Sequence, residues 1–157
     1  MRPVRAIVLA AGQGKRMKSN KPKVLHEVLG RAILSRVMDA VGAAVEGEGL
    51  EHLHLVVGHS ADIVTDFVVN NPPVCPFSTH LQSPQLGTGH AVMQVMPALD
   101  GFEGTLIVTV GDAPVLQSNT LAKLLATHRE KKAVITALST VVPDPKNYGR
   151  MVRDQDG

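Results

Sequence analysis

Residues 4–17, VRAIVLAAGQGKRM, place a glycine-rich basic turn directly after an apolar run. The run contains one charged residue, Arg5, and little alternation of polar and apolar residues, which is typical of a strand covered on both faces. Gly12 and Gly14 free the turn from side-chain crowding, so that N–H groups from residue 11 to residue 15 can converge on an anion. The stretch predicts the first strand of an α/β sheet with an anion-binding turn at its carboxyl end.

The turn matches neither of the two common phosphate-binding motifs. Met17 stands where the dinucleotide fingerprint has its third glycine, and Lys15 is not followed by Ser or Thr as in a P-loop. A turn of this kind taken alone is more often a tight connection between a strand and a helix. The cations between Gln13 and Lys23 taken alone are equally typical of a solvated loop.

Strand and helix patterns alternate along the rest of the chain. We predict strands at the apolar runs 53–57, 77–81, 105–110 and 133–139. Apolar residues at three- and four-residue spacing predict helices over 33–41, 63–68 and 121–125, with Ser118 as N-cap of the last, and a short helix through 91–96. The fold class is α/β, with a Rossmann-like, mostly parallel sheet and helices on both faces. Residues 148–157 are typical of one hairpin arm and its turn, so we expect the domain to be truncated at this end.

The amino-acid composition limits the classes of protein to which this chain can belong. The 157 residues are 44% hydrophobic and 19% charged with a net charge of +2, which indicates one ordinary globular domain. Only 3% of residues are aromatic and none lies among the loop cations, so nucleic acid is not an expected partner. No apolar stretch reaches the eighteen residues of a membrane span, and Cys75 is the single cysteine. We expect a cytoplasmic protein with no membrane partner.

Two more polar stretches follow predicted strands. QSPQLGTGHA, residues 82–91, offers the amides of Gln82 and Gln85 to a base edge and a flexible backbone at Gly87 and Thr88, although a capped loop is an equal alternative. VGDAP, residues 110–114, places Asp112 after a buried strand, where it suits Mg²⁺ or a turn cap. Because ligands bind at the carboxyl ends of strands in open α/β sheets, all three stretches are expected to meet.

Five motifs in this order resemble the sugar-nucleotide pyrophosphorylases. They are similar above all to the N-terminal uridylyltransferase domain of bifunctional N-acetylglucosamine-1-phosphate uridyltransferase/glucosamine-1-phosphate acetyltransferases. The resemblance runs through nearly all of the chain and implies that residues 1–157 are the N-terminal part of a nucleotidyltransferase domain, without the acetyltransferase β-helix. The motifs are LAAGQGKRM at 9–17, KPKVLH at 21–26, QLGTGHA at 85–91, GDAP at 111–114 and NYGR at 147–150.

The resemblance also implies a role for individual residues. Arg16 and Lys23 would flank the reacting phosphate as catalytic residues, Asp112 would hold Mg²⁺, and Gly149 would approach the sugar. Val110 departs from the family, which often has Tyr there, and Gln13 and Lys15 shift the charge within the first loop. The implied nucleotide-binding residues are Leu9, Ala10, Ala11, Gly12, Gly14, Gln82, Gln85, Gly87, Thr88 and Gly111.

The implied reaction is nucleotidyl transfer. N-acetylglucosamine 1-phosphate would attack the α-phosphate of UTP, giving UDP-N-acetylglucosamine for cell-wall (peptidoglycan) synthesis and releasing pyrophosphate. Positioning and charge neutralisation by Mg²⁺, cations and loop amides would supply most of the catalysis. Alternatives are another sugar 1-phosphate, or a nucleotide-binding piece without turnover. A homotrimer is implied for a full-length protein. Histidines His52 and His54 read as strand residues, since no third metal ligand is in view.

Overall fold

The computed structural model describes residues 2–14, 17–45, 47, 49–146 and 149–153. The chain divides into two units, Met1–Ala122 and Lys123–Gly157. The first unit carries the sheet and most of the helices. None of the described helices is long and apolar enough to cross a membrane.

Four parallel strands form the central sheet of the first unit, as predicted from the apolar runs. Strand β1 (Val4–Leu9) lies in the middle, between β4 (His52–Val57) and β6 (Thr105–Val110), and β5 (Phe77–Leu81) forms the edge beyond β4. The register pairs Leu9 with Val56 on one side and with Val110 on the other. All four strands therefore end at the same edge of the sheet, and the strand order reverses at β1.

Helices cover both faces of β1. Val4, Ala6 and Val8 point to one face and Ile7 to the other, and all four are at most 1% exposed. Helix α1 (Ile33–Ala44) was predicted from its apolar spacing and buries one side of every turn. Burial on both faces explains why these strands lack the alternation of a half-exposed sheet.

Two further helices pack against the sheet. Helix α2 (Ala61–Asn70) contacts β4, and α3 (Thr88–Met93) contacts β1, with Ala91 and Val95 packed on Ile7. The predicted helix through residue 96 ends earlier, and a 3₁₀ turn, Met96–Leu99, follows. Pro97 accounts for this, because proline lacks the N–H that a continuing helix needs and restricts the residue before it.

A small hairpin precedes α1. Strands β2 (Glu27–Val28) and β3 (Arg31–Ala32) pair in antiparallel fashion through a turn at Gly30, whose φ of +70° lies in the region that glycine tolerates. A 3₁₀ turn, Lys23–Leu25, buries Val24 and Leu25 just before the hairpin. This turn fixes the backbone from which Lys23 projects.

The chain from Ser118 onward departs from the sequence expectations. Ser118 was predicted as an N-cap, and it is the first residue of helix α4 (Ser118–Glu130). Residues 133–139 do not form the predicted strand, and Val134 and Ile135 are 94% and 84% exposed. A strand requires hydrogen bonds from a neighbouring strand, and no described segment pairs with these residues. The expected hairpin arm is likewise irregular over 149–153, and its remaining residues lie outside the described chain.

Candidate functional site

A cleft of about 300 Å³ opens at the carboxyl ends of the strands, where the strand order reverses between β1 and β6. Ligands of open α/β sheets bind at such reversals. All three polar stretches singled out in the sequence contribute to its wall. The lining residues are Leu9, Ala10, Ala11, Gly12, Gln13, Lys23, Val24, Gln82, Gln85, Gly87, Thr88, Ala91, Val110 and Asp112.

The glycine-rich loop leaves the sheet after Ala10. The Ala10 N–H donates to Val56 O at 2.8 Å, and within the described part of the chain no backbone acceptor takes the N–H groups of residues 11–14. These amides are therefore available to an anion in the cleft. Gly14 has φ +61°, and a Cβ there would lie 2.9 Å from Lys23 Cβ. Gly14 thus admits the lysine rather than lining the cleft.

Lys23 and Asp112 form an ion pair inside the cleft, which we call the cleft pair. The Lys23 Nζ lies 2.5 Å from Asp112 Oδ2, and the two side chains are 38% and 37% exposed. The sequence motifs implied separate roles for them, the lysine beside a phosphate and the aspartate beside a cation. Both groups are open enough to exchange partners when such ligands enter.

Asp112 is also the residue through which a divalent cation would be held. Its carboxylate follows β6 in the cleft wall, and a hard cation such as Mg²⁺ takes one or two protein carboxylates together with substrate phosphate oxygens. In the described part of the chain no group of three His, Cys, Asp or Glu residues is arranged to hold a metal. The donor set therefore fits a cation that shares its coordination with a bound phosphate.

The Gln82 amide is held by the protein. Gln82 is 3% exposed, and its Nε2 donates to Gly87 O at 2.9 Å and lies 3.2 Å from His90 Nδ1. Gly87 has φ +110°, a conformation that side-chain-bearing residues rarely adopt, so glycine is needed where this carbonyl is presented. Only the oxygen of the amide is left for a ligand.

Gln85 is tied to the glycine-rich loop. Its Oε1 accepts a hydrogen bond from Gln13 Nε2 at 2.7 Å, which links the two loops across the end of the sheet. Gly58 permits this approach, because a Cβ there would lie 2.7 Å from Gln85 Nε2 and 2.8 Å from Ala11 O. Gln13 was predicted to contribute only its backbone N–H and Val24 was not predicted to bind a ligand, yet both residues line the cleft. The only sequence signal that could have identified these two residues was their position inside the motifs.

The remaining predicted residues have different positions. Gly111 donates its N–H to Leu9 O at 2.8 Å, and a Cβ on it would lie 3.1 Å from that oxygen, so it brings β6 close to the loop. Arg16 and Lys15 lie outside the described residues, as do Asn147 and Tyr148 of the last motif. Gly149 belongs to the second unit, and its expected contact with a sugar stays a prediction.

A larger cleft of about 570 Å³ lies elsewhere in the first unit, between the β2–β3 hairpin, α1 and α2. Its rim cations are paired, Lys21 with Glu27 at 3.4 Å and Arg31 with Asp39 at 2.5 Å. None of the predicted site residues lines it. We therefore assign the candidate site to the smaller cleft, where the motifs meet.

Three histidines, His52, His54 and His80, form a separate group with Ser78 on β4 and β5. We call this group the histidine cluster. His54 Nδ1 lies 3.0 Å from His80 Nε2, and the Ser78 hydroxyl lies within 3.2 Å of a ring nitrogen of each histidine. His80 was missed in the sequence, although its register opposite Val56 places it diagonally beside His54. The His54 Nε2 is buried and finds no hydrogen-bond partner among the residues that the structure describes.

Burial lowers the pKa of all three cluster histidines. The pKa of His54 falls to about 4, because burial disfavours the charged ring and the charges of His52, His80 and Arg5 repel it. Burial and then Arg5 lower the pKa of His52, and burial and then His52 lower that of His80. The cluster is therefore a neutral, packed group at neutral pH.

Known proteins match the chain along most of its length. The family model described as MobA-like NTP transferase domain matches residues 6–153. The bifunctional protein GlmU of Pelotomaculum thermopropionicum is 44% identical over 152 residues, which cover 97% of this chain and 31% of that protein. The chain thus spans about a third of the length of the curated relatives it matches.

Solved structures share the fold at lower identity. A UDP-glucose pyrophosphorylase complexed with UDP-glucose aligns with a TM-score of 0.64 and 20% identity, covering 84% of this chain and 55% of that chain. The manganese complex of Rv0371c from Mycobacterium tuberculosis aligns with a TM-score of 0.54 and 20% identity, covering 82% and 60%. These likenesses show the Rossmann-like α/β fold. From the family match over 6–153, the chain belongs to the family of MobA-like NTP transferase domains.

Proposed function

We propose that this chain carries the uridine, phosphate and metal half of a sugar-1-phosphate uridylyltransferase site. The observation that carries the proposal is the cleft itself, where free loop amides, the cleft pair and the Gln82 oxygen line one wall at the strand reversal. The 44% identity to the bifunctional protein GlmU supports N-acetylglucosamine 1-phosphate as the second substrate. The products are UDP-N-acetylglucosamine and pyrophosphate.

The reaction joins two anions, and the cleft supplies charge for both. An oxygen of the sugar phosphate attacks the α-phosphorus of UTP, and the bond from that phosphorus to the oxygen bridging it to the β-phosphate breaks. The amides of residues 11–14 donate to phosphate oxygens, while Lys23 leaves Asp112 and neutralises charge at the reacting phosphate. In a complete site, catalysis would therefore rest mainly on positioning and electrostatics, with no covalent intermediate.

Magnesium is the cation we propose at Asp112. Bound there, Mg²⁺ would neutralise phosphate charge and orient the leaving pyrophosphate. Arg16 is proposed as the second catalytic cation, and Gly149 as a sugar contact. The nucleotide contacts are proposed at Leu9, Ala10, Ala11, Gly12, Gln82, Gln85, Gly87 and Thr88, which line the cleft. Gly14 and Gly111, which do not line it, are proposed to contribute through their backbone.

The setting of the enzyme is proposed from its relatives. We propose that a full-length protein containing this domain works in the cytoplasm as a homotrimer. UTP, N-acetylglucosamine 1-phosphate and the two products are its proposed small-molecule partners. Sedimentation velocity on the full-length protein tests the trimer, and a monomer would contradict it.

Calorimetric titration of the chain with UTP and with ATP, each with and without Mg²⁺, tests the nucleotide assignment. We expect UTP to bind more tightly than ATP, and Mg²⁺ to strengthen the binding. Equal or tighter ATP binding would contradict the uridine assignment. A pyrophosphate-release assay with UTP, Mg²⁺ and either N-acetylglucosamine 1-phosphate or glucose 1-phosphate then tests the sugar, and preference for glucose 1-phosphate would replace the sugar substrate proposed above.

A further inference from the structure

The His90 ring lies against the amide that closes the base end of the cleft. His90 is part of α3, and its Nδ1 faces Gln82 Nε2 at 3.2 Å. The sequence motifs assigned His90 no contact with a ligand. His90 therefore acts on the site through Gln82.

The orientation of the Gln82 amide is determined by its partners. The Gly87 carbonyl can only accept a hydrogen bond, so the Gln82 atom 2.9 Å from it must be the NH₂ group. The Gln82 Nε2 also lies 3.2 Å from His90 Nδ1, which accepts its second N–H when that ring nitrogen holds the lone pair. With its nitrogen held at the Gly87 carbonyl, the amide has its oxygen left for a ligand.

The tautomer of the His90 ring decides which of its two amide neighbours it can accept from. Gln94 Nε2 donates to the His90 carbonyl at 2.9 Å, so the amide atom 3.2 Å from His90 Nε2 is also an NH₂ nitrogen. Both ring nitrogens therefore face donors, and a neutral imidazole accepts at only one of them. The Gln82 contact is a hydrogen bond when Nδ1 holds the lone pair and Nε2 holds the proton.

We propose that His90 is a positioning residue that selects uracil over cytosine by fixing the Gln82 oxygen toward the base. This inference rests on the proposed uridine function of the cleft. Uracil carries a donor at N3–H, which pairs with an acceptor oxygen, whereas cytosine N3 is itself an acceptor and meets that oxygen unfavourably. Without the His90 acceptor, the Gly87 carbonyl alone holds the amide, so the flipped orientation that presents the NH₂ group to cytosine costs less than in wild type.

The test compares UTP and CTP binding to the chain by calorimetry in wild type, His90→Leu and His90→Asn. We expect wild type to favour UTP, and His90→Leu to lower the ratio of CTP to UTP dissociation constants by about threefold to tenfold, the effect of one hydrogen bond. His90→Asn should restore the ratio to within about twofold of wild type, because the Asn Oδ1 can accept where Nδ1 does. A purely structural role would weaken both nucleotides equally and leave the ratio unchanged.

A matched control is Gln94→Leu, which removes the other amide beside the ring without touching Gln82 and should leave the ratio unchanged. Long-range ¹H–¹⁵N NMR of wild type reports the tautomer of His90 directly and needs no variant. An Nδ1-protonated ring, or an unchanged ratio in His90→Leu, overturns the inference while UTP binding stands. A wild-type chain that binds ATP as well as UTP would instead overturn the proposed function.

Discussion

The cleft pair and the histidine cluster both place polar side chains at the central sheet, but their atoms differ in what else they can bind. Lys23 and Asp112 are each more than a third exposed and line a cleft with other unengaged polar groups. His54 is 3% exposed, and its neighbours are other rings and one hydroxyl. The cleft pair can exchange partners when a ligand arrives, whereas the histidine cluster can only lose the partners it has.

The comparison distinguishes polar residues that are open to a ligand from polar residues that are packed against one another. His52 and His54 were interpreted as strand residues from the sequence, and both lie on β4. The histidines form a neutral group packed on the sheet, while Lys23 and Asp112 face a cleft. Substitutions should therefore affect stability in the histidine cluster and ligand binding in the cleft pair.

The largest effect is expected on stability in acid, and it arises from His54. Its folded pKa of about 4 lies below the unfolded value of 6.5, so the unfolded state takes up a proton first as pH falls. Stability is full above pH 6.5 and is lost down to about pH 4, by about 2 kcal/mol at pH 5 from this residue. His52 and His80 act in the same direction.

Urea unfolding of the chain at pH 7.5 and at pH 5 measures this loss. His54→Leu should reduce the difference between the two pH values, because leucine takes up no proton. The exposed His59 provides the control, and His59→Gln should keep the wild-type difference. If the His54→Leu difference equals that of wild type, the cluster does not govern acid stability. UTP affinity at pH 7.5 should be the same in all three proteins.

The next effect is on ligand binding at the cleft pair. Lys23→Ala should weaken UTP binding by about tenfold to a hundredfold, the cost of losing one hydrogen bond to a charged group. It should leave the urea midpoint at pH 7.5 nearly unchanged, because an exposed ion pair contributes little to stability. Calorimetry and urea unfolding check both halves, and a large drop in stability with unchanged affinity would contradict our distinction between the two regions.

A smaller effect of the same substitution concerns the metal. With Lys23 removed, none of the described residues that line the cleft gives Asp112 a cationic partner, so Lys23→Ala should bind Mn²⁺ severalfold more tightly than wild type when no nucleotide is present. Electron paramagnetic resonance of free Mn²⁺ gives both dissociation constants. Asp112→Asn serves as the control and should weaken Mn²⁺ binding. Weaker binding to Lys23→Ala than to wild type would show that Asp112 does not hold the cation.

The smallest effect is expected at Lys18, which is exposed and lies in the same basic stretch without lining the cleft. Lys18→Ala should change UTP affinity by less than about twofold at physiological salt, because exposed charges at a distance are screened. A loss equal to that of Lys23→Ala, measured by the same titration, would mean that the basic stretch acts as a diffuse charge rather than through one positioned lysine.

The sequence predicted the four strands of the sheet. Each strand either lies between two neighbouring strands or packs under helices, and the apolar pattern of the sequence predicted those helices as well. It failed at 133–139, where the residues Ala-Val-Ile-Thr have strand propensity but no described neighbour to bond with. Propensity is local, whereas pairing depends on the rest of the chain. The same limit explains why His80 was missed, since only the β4–β5 register brings it beside His54.

For the site, the motifs identified which loops meet but not how their atoms are engaged. Gln82 and Gln85 appeared equivalent as amides able to read a base. In the structure the nitrogen of Gln82 and the oxygen of Gln85 are already used by the protein. Whether such an atom is already hydrogen-bonded within the protein depends on distances of a few tenths of an ångström between loops far apart in sequence. They cannot be read from composition or spacing.

The central position of β1 also bears on how the chain is made. A ribosome releases β1 first, yet its two neighbours begin at residues 52 and 105, so the first strand emerges long before the last of them. Pairings over such separations form slowly, because the intervening chain must close a long loop. An apolar strand that waits for its partners during synthesis is a natural target for chaperones, and rare codons before residue 105 should lengthen that wait.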